Sequence, residues 1–290
     1  MGAPQDSPLF TTLISTADLG DALGGRTDLV ICDVRHDLVQ QDTWGEGEYT
    51  KAHLPGARFV HIDRELSAPK TGSNGRHPLP TPEAAAAIFA RLGIDESKQV
   101  VAYDQGNGMY AARLWWMLRW LGHDAVAVLD GGYAKWVKEG RPITAEVPKT
   151  QPASFGIRRV TPTVNASGVR ASVHRHTLFL IDARSPERFR GEVEPFGPVA
   201  GHIPGAHNRP FPQNLEADGT FKHPAFLRAE FTALLDGASH DTVVHSCGSG
   251  VSACHNILAM ELAGMPGTRL YPGSWSEWSA DPSLPVERGP

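Results

Sequence analysis

Short apolar runs recur along the chain, and helical patterns lie between them. "LVICDV" (29–34), "VVAYD" (100–104), "AVAVLD" (125–130), "LFLIDA" (178–183) and "TVVHSC" (242–247) are almost continuously apolar or β-branched. Such runs, without polar alternation, suit strands buried on both faces. "TPEAAAAIFARLG" (81–93) reads as a helix with Thr81 at the N-cap, Pro82 at the first helical position and Gly93 as its stop. "YAARLWWMLRWLG" (110–122) reads as another, ending at Gly122. Strands alternating with helices predict an α/β fold: a mainly parallel sheet with helices on both faces. In such folds ligands gather beyond the carboxyl ends of the strands, where each strand hands over to its helix.

The pattern occurs twice. "VICDVR" (30–35) returns as "FLIDAR" (179–184), and "AHLPGA" (52–57) returns as "GHIPGA" (201–206), both at a separation of 149 residues. Further on, "VAYDQGNGMYAARL" returns as "VHSCGSGVSACHNI" and "LDGGYAKW" as "YPGSWSEW", both at a separation of 142. Four blocks in one order with a single length change predict a duplicated domain, and the period is too long for a solenoid. The stretch from Arg141 to Gly168 is rich in proline, serine and threonine and has no amphipathic helical pattern. The expected organisation is a first domain over 10–145, a linker over 146–168 and a second domain over 169–290.

Charge and cysteine content narrow the class. The formal net charge is −5 over 290 residues, which speaks against nucleic acid and anionic membrane as partners. No apolar run is long enough to span a bilayer. The opening "MGAPQDSPLF" lacks the basic and apolar regions of a secretory leader. Three cysteines, Cys32, Cys247 and Cys254, are too few and odd in number for a disulfide scaffold, so a cytoplasmic protein with reduced thiols is expected.

The second copy carries the chemistry. Cys247 ends a predicted strand and is followed by "GSGVSA". Glycines 248 and 250 permit backbone conformations closed to other residues, so successive N–H groups can converge on one point. The helix expected to start near Val251 or Ser252 adds its unpaired N–H groups and the positive end of its dipole. A sulfur in that bowl is favoured as the anion. In the first copy the aligned segment "DQGNGMYA" keeps Gly106, Gly108 and Ala111 but places Gln105 opposite Cys247. One scaffold with one reactive residue points to a chemical copy and a structural copy. Tyrosine-type phosphatases need an arginine six residues beyond the cysteine, and Ala253 stands there. A zinc site from His245, Cys247, Cys254 and His255 has no recognised spacing. Cys254 and His255 are expected on the helix wall, a Cys247–Cys254 redox pair would require the bowl to open, and nothing positions a histidine for a protease-like pair.

The order "DxR … GHIPGA … cysteine loop … GSWSEW" resembles the tandem rhodanese-domain sulfurtransferases, from about Thr12 to Val286. That resemblance implies two rhodanese-like α/β domains with the catalytic cysteine only in the second. It also implies a persulfide on Cys247, formed from a small-molecule sulfur donor and passed to cyanide, a thiol or a protein acceptor, without a cofactor or a metal. "CGSGV" is similar to the branch preferring 3-mercaptopyruvate, with Ser249 linked to proton handling; thiosulfate-preferring members carry two basic residues in the loop. By the same resemblance, Arg188 holds the anionic end of the donor, Asp63 and His77 are lent to the site by the first domain, and Gly248, Gly250, Val251 and Ser252 line the substrate. Asp33–Arg35, Asp182–Arg184, His53 and His202 occur in both copies and are expected to be structural. The family's second donor arginine is missing, since Phe196 and Gly197 stand where it belongs; Arg190 and Arg209 are candidate substitutes. Two other readings of the same thiol are a persulfide carrier that serves a partner protein and an oxidant sensor.

Overall fold

The computed structural model describes residues 9–40, 43–175 and 177–290. The first eight residues, in which no leader was read, lie outside them. The chain forms two compact units, one of Met1–His61 with Pro82–Val160, the other of Ile62–Thr81 with Thr161–Pro290.

In the first unit β1 (Leu13–Ile14), β2 (Leu29–Asp33), β3 (Arg58–Phe59), β4 (Gln99–Tyr103) and β5 (Val126–Leu129) form a parallel sheet in the order β1-β5-β4-β2-β3. The helices are α1 (Thr16–Gly25), α2 (Trp44–Lys51), α3 (Pro82–Arg91), α4 (Ala111–Trp120) and α5 (Gly132–Lys138). In the second unit α6 (Ala166–Arg175) precedes β6 (Phe179–Asp182), α7 (Pro186–Phe189) and β7 (His207–Asn208). Then come α8 (Pro224–Leu235), β8 (Val243–Ser246), α9 (Ser252–Leu262), β9 (Arg269–Leu270) and α10 (Ser274–Trp278). Its strands are also parallel, in the order β7-β6-β8-β9.

Every residue of β4, β5 and β8 is buried, which is why these strands lack the polar alternation of a half-exposed sheet. Ile31, Val101, Ala127 and Trp136 centre the core of the first unit; Leu180, Val244, Tyr271 and Trp278 centre that of the second. Three helices end on one motif. After α3, α4 and α9 the chain turns left-handed at Gly93, Gly122 and Gly264. The following N–H then reaches back to the third-last helical carbonyl, as from Ile94 to Phe89, His123 to Leu118 and Met265 to Met260. This glycine-closed end satisfies carbonyls that the helix leaves open.

Two of the expected boundaries move. Residues 145–165 hold no helix or strand, but α6 already begins at Ala166, inside the expected linker. The proline-rich stretch is tied down to the first unit: Ala153 N–H donates to the Ala90 carbonyl at 2.8 Å and Arg158 N–H to that of Leu121 at 3.0 Å. A proline-rich composition withholds helix, not docking. The second change affects the site. Residues 62–81, expected within the first domain, pack with the second unit.

The duplicated motifs do the same work twice. Arg35 pairs with Asp33 at 2.6 Å and donates to the Ala52 carbonyl; Arg184 pairs with Asp182 at 2.7 Å and donates to that of Gly201. Buried His53 places Nδ1 2.7 Å from the Tyr49 carbonyl and stacks on that ring, and buried His202 does so with Phe189.

Candidate active site

The site is built at the carboxyl end of β8. Cys247 follows the last strand residue and is 2% exposed. Its Sγ accepts the backbone N–H of Gly250 at 3.1 Å and of Ser249 at 3.4 Å, so the expected bowl of amides does close on the sulfur. Gly250 makes this possible: its φ is +76°, and a Cβ there would collide with the Pro272 carbonyl. Gly248 completes the loop, Val251 is the N-cap of α9 and Ser252 its first residue, so the helix begins where its dipole favours an anion.

The recurring "GSWSEW" block holds the loop from behind. Ser274 adopts φ +53°, and its Oγ accepts the Cys247 N–H at 3.1 Å. The N–H groups of Trp275 and Ser276 donate to the carbonyls of Cys247 and Gly248, both at 2.9 Å. Five backbone groups of Cys247, Gly248, Ser249 and Gly250 are thus committed, and the cradle is set by the fold.

Segment 62–81 brings an imidazole against this loop. His77 is buried and places Nδ1 2.7 Å from Ser249 Oγ. Its Nε2 lies 3.6 Å from Asp63, which also pairs with Lys70 at 2.7 Å. The structure therefore brings Asp63, His77, Ser249 and Cys247 into one unit although 184 positions separate the first from the last.

Guanidinium groups cover the other side. A Cβ on Gly248 would lie 2.8 Å from Arg76 and 3.2 Å from Arg188, so both forks press on the loop where it has no side chain. Arg188 donates to Glu194, whose side chain is 2% exposed, at 2.8 Å, and Glu194 also pairs with Arg184 at 3.3 Å. The Phe196 ring lies 4.9 Å from the Arg76 guanidinium and 5.1 Å from that of Arg188. Phe196, read as the sign of a missing cation, is thus a platform for two cations. Neither proposed substitute is one of these two: Arg190 pairs with Glu192 at 2.7 Å and Arg209 with Glu230 at 2.5 Å. Arg76 carried no signal, because a lone arginine in a Gly/Pro-rich loop reads as a solvated surface residue. Only the seating of that loop on the second unit reveals it.

The pairing of Gln105 with Cys247 requires correction. Across the sheets Asp33 faces Tyr103 and Asp182 faces Ser246. Since Asp33 and Asp182 are equivalent, the residue after the strand is Asp104 in one unit and Cys247 in the other. The first loop is one residue longer before its left-handed glycine, Gly108 or Gly250, and that insertion hid the shift. Asp104 is buried, and its carboxylate accepts the N–H groups of Gly106, Gly108 and Tyr110 at 2.9–3.0 Å and of Ala111 at 3.3 Å. The first unit fills its own anion bowl. Gln105 instead donates to the His36 carbonyl at 2.8 Å.

The residues considered for zinc serve packing. His255 stacks on Phe221 with ring centroids 4.5 Å apart, Cys254 Sγ donates to the Gly250 carbonyl at 3.3 Å, and His245 is wholly buried in β8.

Two copies of one parallel α/β unit, with an amide-cradled cysteine in the second only, define an enzyme class built on a sulfur nucleophile. Comparison with known proteins agrees. The rhodanese-like domain family matches residues 15–139 and again 166–281. The chain is 46% identical over 265 residues to a protein of Pseudomonas aeruginosa named "Probable 3-mercaptopyruvate sulfurtransferase", covering 90% of this chain and 93% of that protein. It is 38% identical over 254 residues to the thiosulfate sulfurtransferase of Cricetulus griseus, covering 83% of each. The crystal structure of the Escherichia coli 3-mercaptopyruvate sulfotransferase superposes with a TM-score of 0.79 at 33% identity, over 92% of this chain and 99% of that one. The chain belongs to the rhodanese family, and it is a sulfurtransferase of the two-domain kind.

Proposed function

We propose that this sulfurtransferase takes sulfur from 3-mercaptopyruvate onto Cys247 and passes it to a thiol or to cyanide. The Cys247 thiolate attacks the donor's sulfur, an S–S bond forms and the donor's C–S bond breaks. The electron pair of that bond stays on carbon as the enolate of pyruvate. The proton carried by the donor thiol must move to that carbon, which leaves pyruvate and an anionic persulfide. Cyanide or a thiolate then attacks the outer sulfur, and the Cys247 thiolate is restored. The amides of Ser249 and Gly250 hold the negative charge in both resting forms.

The observation that carries the donor assignment is the contact between His77 Nδ1 and Ser249 Oγ at 2.7 Å, with Asp63 behind the ring. Sulfur transfer from mercaptopyruvate needs a proton moved, whereas thiosulfate releases sulfite with no proton transfer. A hydroxyl–imidazole–carboxylate chain beside the nucleophile answers the first need and is idle in the second. The loop after Cys247 also lacks the two basic residues that the family resemblance assigns to thiosulfate-preferring members, and Arg188 supplies a cation for the donor's carboxylate. The proposed working compartment is the cytoplasm, where thiols stay reduced. No helix among the described residues is long and apolar enough to cross a membrane.

Steady-state rates with each donor, with cyanide as acceptor, test this reading. The expected result is a higher kcat/KM for 3-mercaptopyruvate, ping-pong kinetics, and a mass gain of about 32 Da, one sulfur atom, on mixing enzyme and donor. A higher value for thiosulfate overturns the donor assignment. Absence of the mass gain, or turnover retained after Cys247→Ser, overturns the mechanism.

A further inference from the structure

The two units differ just before the motif they share. In the first, α2 (Trp44–Lys51) precedes "AHLPGA" and supports itself by its own helical hydrogen bonds. In the second, residues 191–200 precede the matching "GHIPGA" and form no helix or strand. That stretch contains Pro195 and Pro198, and it carries Glu194 and Phe196, the two groups set against Arg188. A loop without regular structure needs fastening from outside to keep two side chains in one place.

The fastening lies at its neck. Gly191 (φ +77°) and Gly201 (φ +133°) lie against each other, with a Cβ on Gly191 only 3.1 Å from Gly201 Cα. Residues 286–289 cross this junction. The same Cβ would lie 3.0 Å from Arg288 Cγ, and one on Gly201 would collide with the Glu287 carbonyl. Glu287 and His202 exchange backbone hydrogen bonds in both directions, at 2.9 and 3.0 Å. Beyond that bridge Arg288 Nε donates to the Ala200 carbonyl at 3.1 Å, and Gly289 N–H donates to that of Arg190 at 3.1 Å. Consecutive residues thus tie the two sides of the neck together. Both glycines are needed, because any side chain there would displace the segment laid across them. Arg288 itself is exposed.

We propose that residues 286–289 form a latch across the neck of the 191–201 loop, and that Arg288 is a positioning residue for the sulfur donor. It acts through Glu194 and Phe196, which hold Arg188 in its donor-binding pose while the neck is closed. The inference rests on the donor role proposed for Arg188. Cyanide has no carboxylate for Arg188 to hold, so the latch acts on the donor half of the reaction.

Hydrogen exchange read by mass spectrometry compares wild type with Arg288→Ala and Arg288→Lys. In Arg288→Ala the amides of 191–201 should exchange about 3- to 10-fold faster, the factor carried by one ordinary hydrogen bond, with β8 and α9 unchanged. The kcat/KM for 3-mercaptopyruvate should fall by up to the same factor, since donor binding weakens with the fraction of open loop. That for cyanide should hold. Arg288→Lys keeps an aliphatic stem over both glycines and should recover part of each effect. Unchanged exchange at 191–201, or faster exchange spread over the whole unit, overturns the latch. Faster exchange with an unaltered donor kcat/KM, or equal losses with donor and cyanide, overturns the positioning role. Wild type inert toward both sulfur donors defeats the donor reading instead, and exchange then judges the latch by itself.

Discussion

His77 Nδ1 stands 2.7 Å from the Oγ of Ser249, a residue 172 positions further along the chain. The contact couples a loop that leaves the first half of the chain to the cysteine loop of the second unit. In the proposed reaction a proton passes between donor and imidazole through that hydroxyl.

Ser249→Ala and His77→Ala are each expected to lower the turnover of 3-mercaptopyruvate about 100-fold, the usual scale of one acid–base group. The thiosulfate rate should change far less, since that transfer moves no proton. The double variant should lose little more than either single one, because both residues serve one chain. Parallel losses with both donors would remove the pair from proton transfer.

Glu194 carries two arginines on a side chain that is 2% exposed. Glu194→Gln leaves Arg184 and Arg188 without that counter-charge in a largely dry site. The expected loss of stability is about 3 kcal/mol, the range seen when one partner of a buried ion pair is removed. Urea unfolding of the two proteins measures it, and an unchanged midpoint contradicts it.

In the first unit the corresponding test concerns Asp104. Asp104→Ala would leave four N–H groups, three of them buried, without this acceptor. Each unsatisfied buried group costs on the order of 1–3 kcal/mol, so this should be among the most damaging single changes in that unit. Asp104→Asn keeps one carbonyl acceptor and should fall between wild type and alanine in a thermal melt.

His245 gives the chain a defined response to acid. It is wholly buried, both ring nitrogens lack hydrogen-bond partners among the described residues, and burial lowers its pKa from 6.5 to about 3. A folded-state pKa below the unfolded value means that the unfolded chain binds the extra proton first. Its contribution to stability is therefore complete above pH 6.5 and is lost as the pH falls toward 3. Within that window the slope is about 1.4 kcal/mol per pH unit from this one group. His245→Leu should flatten the dependence of unfolding free energy on pH by one proton. An identical slope in both proteins would show that His245 finds a partner for its charge.

Sequence legibility followed the range of the forces involved. Strands β4, β5 and β8, the glycine stops of α3 and α4, and the cradle at Gly250 all arise from residues within a few positions of one another. Duplication made the cysteine stand out, because one scaffold appeared with and without it. The same alignment erred by one place at Asp104, since motif letters cannot register an insertion that strand pairing exposes at once. Composition likewise predicted a linker from prolines, although hydrogen bonds from Ala153 and Arg158 fasten that stretch to the first unit.

By itself, then, the order of residues determined two parallel-sheet units, a cysteine at the end of β8 in the second and a main-chain pocket of N–H groups around its sulfur, because each follows from local backbone preference and burial pattern. Only the tertiary structure decided which distant groups face that thiol. Residues 62–81 lie on the second unit, so Arg76, Asp63 and His77 meet Cys247. A flexible, polar loop has many places to lie, and its seat is chosen by packing against Gly273 and Ser276, contacts that no short-range pattern encodes.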